Sequence, residues 1–355
     1  MAHGDRGIRG HHGRAARAAG PRAAARPGRR KDAGLTPVLR QSATASAPAS
    51  IGNVGVGFDI LGQAFDAARD VVTAVRDEKP GVRLMQVSGL VNSLPPEPEK
   101  NTALAAAQAV LEASGSPCGM RLSIVKGVPL SAGMGGSAAS AVAGAAAANA
   151  LLGEPFSVEE LLPFALEGER VASDPPHWDN VMASLLGGLV LAAREEPALV
   201  QRLPVPEGIT TVIFHPAAAV ETRMARSILA AQVPLKLAVE HSRRVAAFVA
   251  GCATGDLELV RAGMQDLLVE PQREHLLPVL PAVKAAASAA GAVGASFSGS
   301  GPSVFAWALE ADVDAVERAM AAAFANAGVE ARAYRAPVSS EGVRILASDE
   351  TLVAA

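Results

Sequence analysis

The chain has 355 residues, half of them apolar and 3% aromatic, with 32 Lys and Arg against 35 Asp and Glu. That length provides for two domains with ample core. Few aromatics means little surface for stacking single-stranded bases, and no uninterrupted apolar run reaches the ~18 residues of a membrane span. The charge is uneven: residues 1–40 carry a formal +8, leaving −11 for the rest of a chain whose total is −3, and so acidic a body argues against nucleic-acid binding.

In chain order, the basic arm of residues 1–40 comes first. It is rich in Arg, Ala and Gly without apolar periodicity, cannot offset the entropy of ordering, and is expected to be disordered. Nucleic-acid binding, organelle targeting and a plain solvated extension remain open for it. Thr44 to Ala49 then begins an extended segment, Asp70 to Asp77 alternates as a strand, and Leu84 to Val87 is a candidate partner. Asn101 to Ala113 reads as a helix capped by Asn101 or Thr102, with Ala103, Leu104, Ala107, Val110 and Leu111 on one face. Leu122 to Val125 is a strand, and Ser137 to Leu152 a helix capped by Ser137. Ser157 and Glu160 form a capping box for a helix over Val158 to Val171. Gly187 to Ala193 is a strand and Pro204 to Gly208 a linker.

Beyond the linker, Thr210 to Phe214 is a strand, followed by helices over Thr222 to Ala231, Leu235 to Ala250, Leu257 to Leu268 and Leu280 to Ala290. Ala295 to Ser298 and Val304 to Ala308 flank a glycine turn, Asp312 to Ala327 is a helix, and Glu330 to Ala336 a strand. Strands and helices alternate without the rhythm of a doubly wound sheet, so an α+β architecture in two domains is expected. Cys118 and Cys252 stand apart without a Cys-x-x-Cys partner, which fits a reducing, cytoplasmic setting.

Four clusters carry chemistry. Between a strand and a helix lies Gly127-Val-Pro-Leu-Ser-Ala-Gly-Met-Gly-Gly-Ser-Ala-Ala-Ser140. Its glycines allow positive φ and let several N–H groups approach an anion, and the helix start adds its dipole. It has neither the Gly-x4-Gly-Lys-Ser/Thr nor the Gly-x-Gly-x-x-Gly spacing. Taken alone, it equally suits a packed turn. Asn53-Val-Gly-Val-Gly-Phe-Asp59 offers Asn53 and Asp59 to a hydroxylated or ammonium-bearing substrate. Glu167 to Arg170 and His177-Trp-Asp-Asn180 supply acids, of which Glu169, with Ser137, suits Mg²⁺ beside a nucleoside triphosphate. Thr222 and Arg226 share a helix face, and Arg273 adds a second fork for a carboxylate. Gly294 to Pro302 is a further small-residue turn.

Together, Ala47 to Gly62, Pro129 to Ser140, His177 to Asn180 and Gly294 to Ser303 resemble, in order and spacing, the homoserine kinase family of the GHMP kinase superfamily. The resemblance spans about residues 43–345 and rests on four motifs in sequence. It implies a two-domain GHMP kinase fold, with a ribosomal-S5-domain-2-like ATP-binding domain over residues 41–203, a ferredoxin-like domain over 204–345 and a tail over 346–355, the site lying between the domains. It implies phosphorylation of the L-homoserine hydroxyl by ATP, on the route to threonine. Pro129, Leu130, Ser131, Ala132, Gly133, Met134, Gly135, Gly136, Ser137, Ala138 and Ala139 then form the ATP-phosphate loop, with Ser137 and Glu169 as Mg²⁺ ligands. Asn53, Asp59, His177 and Asp179 meet the amino and hydroxyl ends of homoserine, and Thr222, Arg226 and Arg273 its carboxylate. Asn180 stands where sister kinases have a catalytic aspartate; an amide is no base, so transfer is expected to proceed by positioning and electrostatics. No nucleic acid and no membrane is expected as a partner, and a homodimer is left open. Two departures stand out. Gly136 replaces a usual serine and removes one hydroxyl, and Trp178 replaces a proline. Alternatives are another small-alcohol kinase, acting on mevalonate or shikimate, or a GHMP-like regulator that binds nucleotide without catalysis; keeping both Ser137 and Glu169 argues against the regulator.

Overall fold

A computed structural model describes residues 40–218 and 220–347. The basic arm therefore lies outside the described residues except for Arg40, and so does the tail from residue 348 onward.

The first half comprises β1 (Ser42–Gly52), β2 (Leu61–Asp77), β3 (Gly81–Gly89), α1 (Thr102–Ser114), β4 (Gly119–Lys126), α2 (Gly136–Leu151), α3 (Leu162–Glu169), α4 (Trp178–Leu186), β5 (Leu189–Arg194) and β6 (Leu199–Leu203). The long strand β2 organises the sheet. One of its edges pairs antiparallel with β1 from Gly62 to Val75, with a register shift at Pro48, which has no N–H to donate. The other edge takes β5 near Leu61–Gln63 and β4 along Val71–Asp77. β3 runs parallel to β4, and β6 pairs with β5. Only the second part of β2 was legible as alternation. Residues 61–65 are all buried, so both faces are covered and the polar half of the pattern disappears.

α1 and α2 cover this sheet. The Asn101 side chain accepts from the N–H of Ala103 (3.1 Å) and Leu104 (3.3 Å), the expected cap. The expected apolar face of α1 is buried throughout. α2 is buried along nearly its whole length, which its small alanine side chains permit at close approach. The capping box forms with both bonds, Ser157 N–H to Glu160 at 2.8 Å and Glu160 N–H to Ser157 Oγ at 3.3 Å. The helix it was expected to start is instead a 3-10 turn over Glu159–Leu161 followed by α3, because Pro163 in the first turn of α3 has no N–H to continue the earlier ladder.

The second half comprises β7 (Ile209–Pro216), α5 (Thr222–Ser227), α6 (Leu235–Thr254), α7 (Leu257–Gly263), α8 (Glu270–Arg273), α9 (Leu280–Ala289), β8 (Gly294–Phe297), β9 (Val304–Leu309), α10 (Val313–Asn326) and β10 (Ala331–Pro337). Its four strands form an antiparallel sheet in the order β10-β7-β9-β8, the ferredoxin-like arrangement. Leu280 and Val283 of α9 and Val316, Met320 and Phe324 of α10 cover one face. The other face shares a core with the first sheet, where Ile51, Leu61 and Phe65 meet Ile213, Phe305 and Trp307. Buried hydrogen bonds pin the two sheets together: Trp307 Nε1 donates to Gln63 (2.8 Å), and Gln63 donates to Thr211 (2.8 Å). Two helices are shorter than expected. α5 ends at Ser227, since Ala230 and Ala231 are exposed and find nothing to pack on. α7 ends at Gly263, since the Asp266 carboxylate claims the N–H groups of Leu268, Val269 and Glu270 and turns the chain. Finally β11 (Arg344–Leu346) returns to the first sheet beside β1, too short to carry a pattern of its own.

Candidate active site

A cleft of about 380 Å³ lies where both halves meet. One pole is the glycine-rich loop between β4 and α2. Gly133 (φ 70°) and Gly135 (φ 64°) are left-handed; a Cβ on Gly133 would stand 2.5 Å from the Ser298 carbonyl, and one on Gly135 would overlap Ser50 Oγ. Ser137 was expected to cap α2. Instead Gly135 is the N-cap, because its left-handed turn starts the helix at Gly136, and no side chain caps it. The first N–H groups of α2 therefore stay free of side-chain acceptors and, with the helix dipole, form an anion seat. Ser50 N–H binds the Met134 carbonyl (3.0 Å) and Ser298 Oγ donates to that of Gly133 (2.6 Å), so the second glycine turn braces the first. Leu130 to Ser137 line the cleft; Pro129 stands outside the lining, and Ala138 and Ala139 are packed into the interior.

Beneath the loop lies a buried network that sequence reasoning missed. Asp70 accepts from the N–H groups of Gly127 and Val128 (each 3.0 Å), from Ser140 Oγ (2.6 Å) and from the Lys126 ammonium. Lys126 also donates to the Gly136 carbonyl and to Ser140 Oγ, each at 2.9 Å. One carboxylate thus ties the entry of the loop to the first turn of α2. An acid and a lysine in otherwise apolar strand sequence were the only signal.

The acidic wall is built by α3 and the start of α4. Glu169 is 1% exposed; its Oε1 accepts from Ser137 Oγ and contacts His177 Nδ1, both at 3.0 Å, while its Oε2 is buried without a partner. His177 Nε2 lies 3.3 Å from Ser173 Oγ, so both ring nitrogens have protein partners. Burial alone would lower the His177 pKa, but the hydrogen bond to Glu169 and the charges of Asp179 and Glu169 outweigh it and raise the value. Asp179 accepts from Asn53 N–H (3.0 Å), Asn180 N–H (2.8 Å) and Asn180 Nδ2 (3.0 Å). Burial, with the charge of Asp59 nearby, pushes its carboxyl up against the pull of His177. Asn180 Oδ1 accepts from Ser50 Oγ (3.0 Å). Trp178 opens α4 and packs against the first core, so this departure from the family pattern falls at a helix start.

The opposite pole is made by residues 53–59 and two arginines. Asn53 (φ 68°) and Asp59 (φ 61°) are both left-handed, a conformation that Asn and Asp side chains ease by local hydrogen bonds. Asn53 Oδ1 accepts from Asp59 N–H (3.1 Å), and its Nδ2 donates to the Gly299 carbonyl (3.0 Å). Arg226 reaches Asp59 at 2.7 Å. Arg273 is 3% exposed and donates to the carbonyls of Ala225 (2.9 Å) and Gly299 (3.4 Å). Its pKa is lowered to about 10, by burial first and the charge of Arg226 second. Thr222 Oγ1 lies 3.2 Å from Ser300 Oγ at the rim. One cleft thus brings together Asn53, Asp59, Glu169, His177, Asp179, Asn180, Thr222, Arg226 and Arg273. An anion seat faces an acid-and-arginine pole, an arrangement suited to moving a phosphoryl group onto a small zwitterion.

Comparison with known proteins agrees with this geometry. The family profile of the GHMP kinases N terminal domain matches residues 101–188, and that of the GHMP kinases C terminal matches residues 247–326. A homoserine kinase of Xanthomonas campestris pv. campestris (strain B100) is 46% identical over 308 residues, covering 86% of this chain and 95% of that protein. The crystal structure of a homoserine kinase from Cytophaga hutchinsonii superposes with a TM-score of 0.84 at 39% identity, covering 88% of this chain and 99% of that one. A mevalonate kinase from L. major, at 17% identity and a TM-score of 0.63 over 86% of this chain and 99% of that one, shares the fold alone. Motifs, ferredoxin-like second sheet and relatives converge, and the chain belongs to the homoserine kinase family of the GHMP kinases.

Proposed function

We propose that this chain transfers the terminal phosphoryl group of ATP to the side-chain hydroxyl of L-homoserine, giving O-phospho-L-homoserine and ADP, a step toward threonine. The observation that carries the reading is one cleft with an uncapped helix start at one pole and Asp59, Arg226 and Arg273 at the other. On this reading residues 41–203 form the ATP-binding unit and residues 204–345 the second unit, with β11 pairing back onto the first sheet. The reaction takes place in the cytoplasm, in keeping with two buried free cysteines.

The phosphates of ATP accept from the N–H groups of the loop over Pro129 to Ala139 and of the first turn of α2. Glu169 Oε2, buried and unpartnered beside Ser137, fits a divalent cation, and these two residues would hold Mg²⁺. When bound, Mg²⁺ supplies charge neutralisation for the transferring phosphates. Asp59 takes the ammonium of homoserine, and Arg226 and Arg273, with Thr222, take its carboxylate by charge-assisted bonds. Asn53, Asp179 and Asn180 orient the hydroxyl end, and His177, itself in the cleft wall, holds Glu169 in place. The hydroxyl oxygen forms the new P–O bond as the bond to the ADP oxygen breaks, and the hydroxyl proton leaves to solvent or to the transferred phosphate. Asn180 cannot accept that proton; a loose transition state needs little nucleophile activation, so alignment and electrostatics suffice.

A coupled ADP-release assay over L-homoserine, shikimate, mevalonate and galactose tests the reading. Turnover is expected with homoserine and is at background with the others. Preference for another alcohol would reassign the substrate, and ATP binding without turnover of any would make the chain a regulator.

A further inference from the structure

At the substrate pole, one side chain touches both arginines without sharing a hydrogen bond with either. Phe58 lies in the cleft wall next to Asp59, and the guanidinium carbons of Arg226 and Arg273 each stand over its ring, 5.3 Å from the centroid. Two guanidinium groups in one pocket repel, and the pKa of Arg273 is lowered by burial first and then by the charge of Arg226. The two are fastened unequally. Arg273 is buried and bonded to two carbonyls. Arg226 has a side chain about one-third exposed, and Asp59 is its ion-pair partner.

An aromatic face attracts a cation within about 6 Å through its quadrupole, which an aliphatic side chain of like size does not. We propose that Phe58 is a positioning residue for the substrate carboxylate, its ring holding the guanidinium groups of Arg226 and Arg273 at a common distance so that both meet the carboxylate together. This rests on the homoserine kinase reading. Asp59 stays beside the ring to offset one of the two positive charges while the site waits for substrate. When substrate arrives, its carboxylate brings the second negative charge between the forks, and little rearrangement is left to oppose binding.

Steady-state kinetics of Phe58→Leu and Phe58→Tyr separate this from simple packing. With Phe58→Leu, KM for L-homoserine rises about tenfold, the loss of two partly desolvated cation–π contacts. At the same time kcat and KM for ATP stay within about twofold, since neither involves the carboxylate. Phe58→Tyr keeps the ring and returns KM to within about threefold of wild type. The inhibition constant of 3-aminopropan-1-ol, which keeps the hydroxyl and ammonium but lacks the carboxylate, is unchanged in Phe58→Leu. An unchanged homoserine KM in Phe58→Leu, an equal loss for 3-aminopropan-1-ol, or a parallel fall in ATP affinity overturns the proposal. Absence of homoserine turnover by the wild type would instead overturn the functional reading beneath it.

Discussion

Asp70→Asn isolates what the buried network under the glycine-rich loop contributes. Asp70 is fully buried and Lys126 is 2% exposed, and the carboxylate accepts from two backbone N–H groups, one hydroxyl and one ammonium. The amide keeps one oxygen for Gly127 and Val128, but its NH₂ must face the Lys126 ammonium, donor against donor. Removing one partner of a buried ion pair costs about 3–5 kcal/mol. At ~2–4 °C per kcal/mol for domains of 150–250 residues, this lowers Tm by roughly 6–20 °C. Adding Lys126→Met removes the stranded charge while the Asn oxygen still serves the loop, so the double variant should cost less than the two single variants added together, with a coupling of about 2 kcal/mol. Calorimetry and urea unfolding of wild type, both single variants and the double variant close the cycle. Costs that simply add would refute a coupled pair. The loop is tied at both ends to this carboxylate, so KM for ATP should rise in Asp70→Asn together with the stability loss and recover in part in the double variant.

Glu169→Ala should lower kcat about a thousandfold, as expected when a preorganised charge at the transferring group is lost. Asn180→Ala should lower it only about tenfold, the loss of one orienting hydrogen bond; comparable losses in single-turnover rates would contradict transfer without a base. His177 gives a pH dependence. Its folded pKa is raised above 6.5, so the protonated ring contributes stability that is fully present below pH 6.5 and is lost as pH rises through the folded value. The stability gap between wild type and His177→Gln in urea titrations should therefore narrow as pH rises above 6.5, and a widening gap would contradict the assignment.

Much of this architecture was legible in the sequence where local chemistry decides it. Asn101 caps α1 and Ser157 with Glu160 closes a capping box because such bonds form within three residues of the chain. The glycines of residues 133–135 marked a tight loop before α2 because the left-handed turn is a backbone requirement. What escaped was set by tertiary partners. The start of β2 loses its alternation because both faces are covered, and β11 is three residues long and exists through its pairing with β1. The helix-capping role expected of Ser137 passed to Gly135, freeing the hydroxyl for Glu169. Asp70 and Lys126 lie 56 positions apart, and no local spacing joins them. Nothing in the local sequence marks Phe58, because the two arginines that stand over its ring come from distant segments.

Phosphorus NMR of the products formed from ATP, Mg²⁺ and L-homoserine tests the central claim most directly. The account predicts a phosphomonoester resonance coupled to the protons of the homoserine side-chain methylene, appearing with ADP in equal amounts and abolished by Glu169→Ala. Release of inorganic phosphate alone, or no phosphorylated amino acid while shikimate or mevalonate is converted, would contradict it.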